Sequence, residues 1–265
     1  MKHLLCTLAF VAAPVGAAQV SVSDLDALPS ADVIFLGEVH DNPAHHMHQE
    51  HAISQIRPAA LVFEMLTPDQ AARVTQPLLP EDQLREILDW DATGWPDFSM
   101  YYPLFTAAPD AVIFGAALPR DDARAAMSSP LPDSFPGDAT RFGLDIDLPP
   151  DQQRAREALQ ARAHCDALPD HLLPGMVAIQ RLRDALLAEA ALRAFDETSG
   201  PVVVITGTGH ARTDWGAPAA LAHAAPNIQT LSVGQFEAVP DSPPPHDLWL
   251  VTDPHPRPDP CDAFR

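Results

Sequence analysis

The chain has 265 residues, 46% of them hydrophobic, enough to bury a core in one domain or at most two. Its formal charge of −20 excludes a nucleic-acid partner, which needs clustered Lys and Arg, and opposes adsorption to anionic membranes. An acidic surface serves solubility, and the 29 prolines give rigid, punctuated loops without naming a function.

At the start, Lys2 and His3 form a short n-region, residues 4–11 an apolar run, and Val15-Gly16-Ala17-Ala18 a small-residue cleavage zone. Residues 1–18 therefore read as a signal peptide and 19–265 as a single mature domain, soluble in the periplasm or secreted. No later segment reaches the roughly 18–20 apolar residues of a membrane span, so no integral segment is expected after cleavage. Cys6 leaves with the signal and lies too early in it to accept a lipid. Cys165 and Cys261 remain, and in an oxidising compartment they read as a disulfide, with thiolate metal ligation as the rival reading.

Along the mature chain, apolar runs at 32–36, 60–63, 111–116 and 202–206 predict buried strands, and 229–233 and 248–251 predict later ones nearer an edge. Asn42-Pro43 caps a helix running to 56. Further helices are predicted over 68–76, 81–89, 151–165 and, longest, 171–197. This alternation predicts an α/β fold with a mainly parallel central sheet flanked by helices. Residues 65–110 read as a helical insertion over the carboxyl edge of the strands, and 239–265 as a Pro-rich tail. No internal repeat is evident.

Ligands in such a sheet bind outside the carboxyl ends of the strands. There the first strand ends in Gly37-Glu38-Val39-His40-Asp41-Asn42, the second in Glu64 and the fourth in Gly207-Thr208-Gly209-His210-Ala211-Arg212. Two carboxylates and two imidazoles thus converge on one edge, beside glycines that permit turns a side chain would obstruct. Glu38, His40, Glu64 and His210 suit a divalent metal with one Glu as general base on bound water. They equally suit metal-free acid–base work by a Glu–His pair, or simple mutual hydrogen bonding.

In the run from His45 to His51, His48 and His51 read as solvated. His45 and His46, in the first helical turn beside the 37–42 loop, are expected to join the site; such a cluster also suits adventitious zinc or copper. The segment from Trp95 to Phe105 holds the only two tyrosines, Tyr101 and Tyr102. Core packing is its ordinary reading; the sharper one is a flat platform with a hydroxyl for a planar ligand such as haem, for which Tyr is an accepted ligand. The chain has no C-x-x-C-H, which excludes covalent c-type attachment.

At these residues the sequence resembles the ChaN-like, iron-regulated haem-binding proteins of the wider Tiki/TraB/erythromycin-esterase-like superfamily. The resemblance rests on Gly37-Glu38-Val39-His40-Asp41-Asn42-Pro43 with His45-His46 and Gln49; Phe63-Glu64-Met65; Trp95 with Tyr101-x-Pro103-Leu104; Leu118-Pro119-Arg120; His164-Cys165 leading to Met176, Gln180 and Arg183-Asp184; and Gly207-x-Gly209-His210-Ala211-Arg212 with Gly216-x-Pro218 and Leu221. It implies an α/β fold, an extracytoplasmic location and haem binding linked to haem and iron uptake, through Tyr and His, with two subunits as a homodimer around a haem pair. Carried over, Tyr101 matches the ligand with Tyr102 as alternate, and His40, His45 or His46 supplies the histidine. Arg120 or Arg212 would accept the propionates. The wider superfamily implies instead a hydrolase, metal-dependent or Glu/His-assisted, using Glu38, His40, Glu64 and His210. One departure from the family is the absence of a lipobox Cys in the signal.

Overall fold

A computed structural model describes residues 17–259 and 261–262; the expected signal peptide lies outside them apart from its last two residues. Seven strands form the sheet: β1 (Ala18–Gln19), β2 (Val33–Glu38), β3 (Ala60–Phe63), β4 (Val112–Gly115), β5 (Val202–Gly207), β6 (Thr230–Phe236) and β7 (Leu248–Val251). Their order is β1-β7-β6-β2-β5-β3-β4, and every pairing is parallel. Every residue of β2 and β5 is buried, which is why these strands read as continuous apolar runs rather than alternating ones.

Successive side chains supply two cores. Ile34, Leu36, Leu61, Phe63, Val203 and Ile205 face α1 (Pro43–Ile56) and α4 (Phe98–Ala107). Val33, Phe35, Val62, Val202 and Val204 face α7 (Leu173–Thr198) and α8 (Ala217–Ala224). Helix α1 starts where its cap predicts: the Asn42 side chain accepts from Ala44 N at 3.0 Å, and Pro43 fills the first position. Ala185, Ala188 and Ala191 are wholly buried in α7, and their small side chains let its backbone lie close to the sheet.

Several boundaries differ from the sequence expectation. Helix α2 (Pro68–Ala71) stops short of 76, because β-branched Val74 and Thr75 and then Pro77 follow it. The helices α3 (Glu81–Ile87) and α6 (Pro150–Ala163) keep within two residues of theirs. Strand β6 continues past 233 through Gly234 and Gln235, where the apolar run breaks. A Cβ at Gly234 would lie 2.7 Å from the His246 ring, so this small residue admits an imidazole and not a turn. Helices α5 (Arg120–Ala126) and α8 and the two-residue β1 were not anticipated, being short and lacking a clear apolar stripe. The 65–110 segment is the β3–β4 crossover itself: it carries α2, α3 and α4, and α4 packs on α1. No helix among the described residues is long and apolar enough to cross a membrane.

Cys165, just past α6, is bonded to Cys261 in the tail, 96 residues away. A bridge closing so long a loop constrains the unfolded chain, so reduction, or Cys261→Ser, should lower the unfolding free energy by about 2–4 kcal/mol. Denaturant titrations with and without dithiol reductant check this; coincident curves would mean that the tail's other contacts hold it alone.

Candidate functional site

Strands β2, β5 and β3 are neighbours, so the residues at their carboxyl ends meet. Glu38 is buried; its Oε1 accepts from the Tyr101 hydroxyl at 2.9 Å and lies 2.7 Å from His40 Nδ1. Glu64 Oε2 accepts from the Thr206 hydroxyl at 2.6 Å and Gly207 N at 2.8 Å, while its Oε1 lies 3.7 Å from His210 Nε2. On the other side of that imidazole, Nδ1 is 2.6 Å from Asp184 Oδ1 of α7. Gly207 makes the assembly possible: a Cβ there would lie 3.0 Å from His40 Nε2 and 3.8 Å from Glu64 Oε2. Carboxylates and imidazoles thus form an acid–base relay of two arms, Glu38–His40 and Glu64–His210–Asp184, which act on each other through the charges of His40 and Glu64 and not through a hydrogen bond.

Each charge is set by its neighbours. Burial alone would raise the Glu64 pKa, but the His210 and His40 charges, with the Thr206 and Gly207 hydrogen bonds, hold it near about 2. Burial would likewise depress His40, yet the Glu38 hydrogen bond and the Glu64, Glu38 and Asp41 charges lift it to about 9. His210 is raised because the Glu64 and Asp184 carboxylates outweigh its burial, and Asp184 is raised because burial prevails over His210 and Arg156. Linkage fixes the sign of the pH effects. Glu64, depressed from 4.5, contributes stability that is full above 4.5 and lost as pH falls through about 2. His40, raised from 6.5, contributes stability that is full below 6.5 and lost as pH climbs through about 9. Thermal midpoints of Glu64→Gln should therefore fall less steeply below pH 4.5 than those of the parent chain. Parallel acid limbs would assign the loss to other carboxylates.

The relay opens on a cleft of about 430 Å³ whose lining includes His40, Glu64, Trp95, Arg120, Arg183 and His210. The Trp95 ring meets His40 edge-on with centroids 4.8 Å apart. With Nδ1 on Glu38, the His40 ring keeps Nε2 free of any hydrogen bond to the described residues, and its side chain is 33% exposed. Arg120 also faces the cleft, reaching the Thr93 carbonyl at 3.4 Å.

Other expected site residues turn away from it. Tyr101 is wholly buried, its hydroxyl committed to Glu38, and burial and then the Glu38 charge raise its pKa further. Tyr102 donates to the Leu79 carbonyl at 3.1 Å. His45 accepts from Val39 N at 2.8 Å and meets the Thr252 hydroxyl at 2.7 Å, so both ring nitrogens are taken, and burial lowers its pKa to about 4. His46 donates from Nε2 to the His40 carbonyl at 2.8 Å. Both histidines brace the 37–42 loop instead of entering the cleft. Arg212 lies 3.8 Å from the Trp215 ring and pairs with Asp214 through two nitrogens. From the tail, Arg257 clasps the same loop, its Nε 2.7 Å from Asp41 and its two terminal nitrogens each 2.6 Å from Glu237. Of the histidines expected to be solvated, His51 pairs with exposed Asp26, whereas His48 reaches Gln235 at 2.9 Å.

Among the described residues no group of three or more His, Cys, Asp or Glu side chains is arranged to hold a metal ion. The expected set of Glu38, His40, Glu64 and His210 commits one side-chain atom of each residue to internal partners, while Glu38 Oε2 and His40 Nε2 make no hydrogen bond among the described residues. Asp184 itself, with Arg183 and Gln180, was missed as a site residue. In α7 they are charged and polar interruptions of an Ala/Leu-rich helix; the family resemblance includes all three, and the four-residue spacing of Gln180 and Asp184 puts those two on a shared face.

Together these features define an all-parallel α/β protein with a buried acid–base relay beneath an open cleft at the carboxyl edge of its sheet. Residues 25–221 match the family described as haem-binding uptake, Tiki superfamily, ChaN, and the chain belongs to that family. Its fold is similar to that of ChaN from Campylobacter jejuni, a structure of cofacial haem binding, at TM-score 0.59 and 18% identity, covering 86% of this chain and 89% of that one. Looser likenesses are to an erythromycin esterase variant in its open conformation (TM-score 0.41, 12% identity, 81% and 74% covered) and a succinoglycan biosynthesis protein (TM-score 0.36, 12% identity, 81% and 68% covered). No curated protein matches the sequence at a significant level.

Proposed function

We propose that this chain binds haem at the cleft beside His40 and serves haem and iron uptake outside the cytoplasm, as a soluble protein released by cleavage of its signal peptide. One observation carries the reading within the family: His40 presents a nitrogen without a protein partner while its other nitrogen rests on a buried carboxylate. That is the arrangement that fixes the tautomer and raises the basicity of an iron-ligating histidine. Haem supplies an iron centre that accepts such a nitrogen. Arg120 and Arg183 offer charge for the propionates and Trp95 a flat apolar wall. Because the cleft is open, a second copy facing it would complete a homodimer around two haems.

Residues 19–265, titrated with haem, should shift the Soret band saturably near one haem per chain. A band that stays at the position of free haem overturns the proposal.

A second reading, hydrolysis, is favoured by one feature that haem binding leaves unused: the Glu64–His210–Asp184 relay at the cleft floor. An imidazole between two carboxylates is equipped to move a proton to or from a reacting group. Turnover of a chromogenic ester that His210→Ala abolishes would support it.

A further inference from the structure

On the far side of Asp184 lies a second cavity of about 250 Å³, bordered by Arg156, Arg181, Asp184, Trp215, Phe142 and Leu144. A smaller space of about 80 Å³ shares Arg156, Asp184 and Trp215 with it and touches His210.

Arg156, from α6, is only 9% exposed. Its guanidinium lies 5.1 Å from the Trp215 ring centroid, and its buried Nε has no hydrogen-bond partner among the described residues. Asp184 is the carboxylate that acts on it most strongly, yet that side chain is bound to His210. Asp214, also at the cavity wall, is held by Nε and one terminal nitrogen of Arg212, and Asp147 at the rim is exposed. Arg181 donates only to the carbonyls of Gly143 and Ile146, at 2.8 Å each.

Two guanidinium groups therefore border one open pocket, and neither is hydrogen-bonded to a carboxylate among the described residues. The aspartates on its wall are otherwise engaged or exposed: Asp184 is bound to His210, Asp214 to Arg212, and Asp147 faces solvent, so none hydrogen-bonds Arg156 or Arg181 among the described residues. A buried guanidinium without hydrogen-bond partners is costly, and its nitrogens are matched to a planar carboxylate. Opposite it, Phe142 and Leu144 are buried apolar walls and Trp215 adds an aromatic one. The volume lies below the roughly 300–1,000 Å³ of pockets for drug-sized ligands, so a haem macrocycle does not fit it.

We propose that this cavity is a binding site for a small organic monocarboxylate, its carboxylate on Arg156 and its apolar body against Phe142, Leu144 and Trp215. The site is separate from the haem cleft and does not depend on the haem reading. It lies next to Asp184, so an occupant shares a wall with the acid–base relay.

Calorimetric titration of residues 19–265 with benzoate, butyrate and inorganic phosphate tests this. Benzoate should bind saturably at one site, butyrate more weakly, and phosphate not at all. Arg156→Gln should weaken benzoate by about 10–150-fold, the loss expected of a hydrogen bond to a charged group. Because that variant also alters a buried charge, Ala219→Phe provides an independent check: it fills the cavity from a half-buried position and leaves Arg156 in place. It too should abolish benzoate binding with the circular dichroism spectrum unchanged. Absence of benzoate binding to the parent chain overturns the proposal, as does phosphate binding as tight as benzoate, or benzoate binding that survives both substitutions.

Discussion

His40→Ala protein titrated with haem should keep the Soret band at the position of free haem, or bind with an affinity lowered by more than about 100-fold. Glu38→Gln should weaken binding by about 10–100-fold, the usual effect of removing the carboxylate behind a metal-bound histidine. Tyr101→Phe, by contrast, should leave binding within a few-fold of the parent. The argument is electrostatic as well as geometric. Tyrosine ligates ferric iron as a phenolate, and both burial and the Glu38 charge beside Tyr101 oppose that ion. The hydroxyl also has a better use where it is, since it is one of two donors on Glu38 Oε1. Its removal weakens the support of His40 without removing any group that lines the cleft. Loss of haem binding in Tyr101→Phe with retention in His40→Ala would reverse this assignment and require α4 to move on binding.

The same contrast shows what the sequence holds and what it conceals. Strand ends are legible because β2, β3 and β5 are apolar on both faces and stop abruptly at Glu38, Glu64 and the 207–210 turn; parallel topology then forces those residues to one edge. The disulfide is legible from the cysteine count once an oxidising compartment is expected. Orientation was not. His45 and His46 sit beside the loop, as their place in the first turn requires, but a helix's first turn presents side chains both to the cleft and back under the loop. Here the Val39 amide, the Thr252 hydroxyl and the His40 carbonyl draw these two rings inward. Arg212 is expected to accept a propionate, whereas Trp215 and Asp214, three and two residues on, supply a local cation–π and ion-pair partner that sequence distance alone does not rank. Asp184 was hidden for the opposite reason. It comes from a distant helix, and although the family resemblance includes Arg183-Asp184, that motif does not say which residue the aspartate meets, a histidine 26 residues later.

That partnership makes the second large effect predictable. His210→Ala should lower the unfolding free energy at neutral pH by about 3–5 kcal/mol, because it leaves buried carboxylates without their counter-charge. Glu64 would keep its Thr206 and Gly207 donors and the His40 charge, but Asp184 would retain only the field of Arg156. Asp184→Ala should also destabilise, since it strips the imidazole of one carboxylate and Arg156 of its strongest compensating charge. The decisive quantity is the double variant. If the relay is one unit, His210→Ala with Asp184→Ala should cost less than the sum of the two, by about 1–3 kcal/mol, because the second substitution removes a charge that the first had orphaned. Urea titrations of the four proteins give this coupling directly. Strict additivity would mean that solvent entering the cleft already screens the His210–Asp184 pair, and the two side chains would then be separate groups lying near one another instead of one coupled unit.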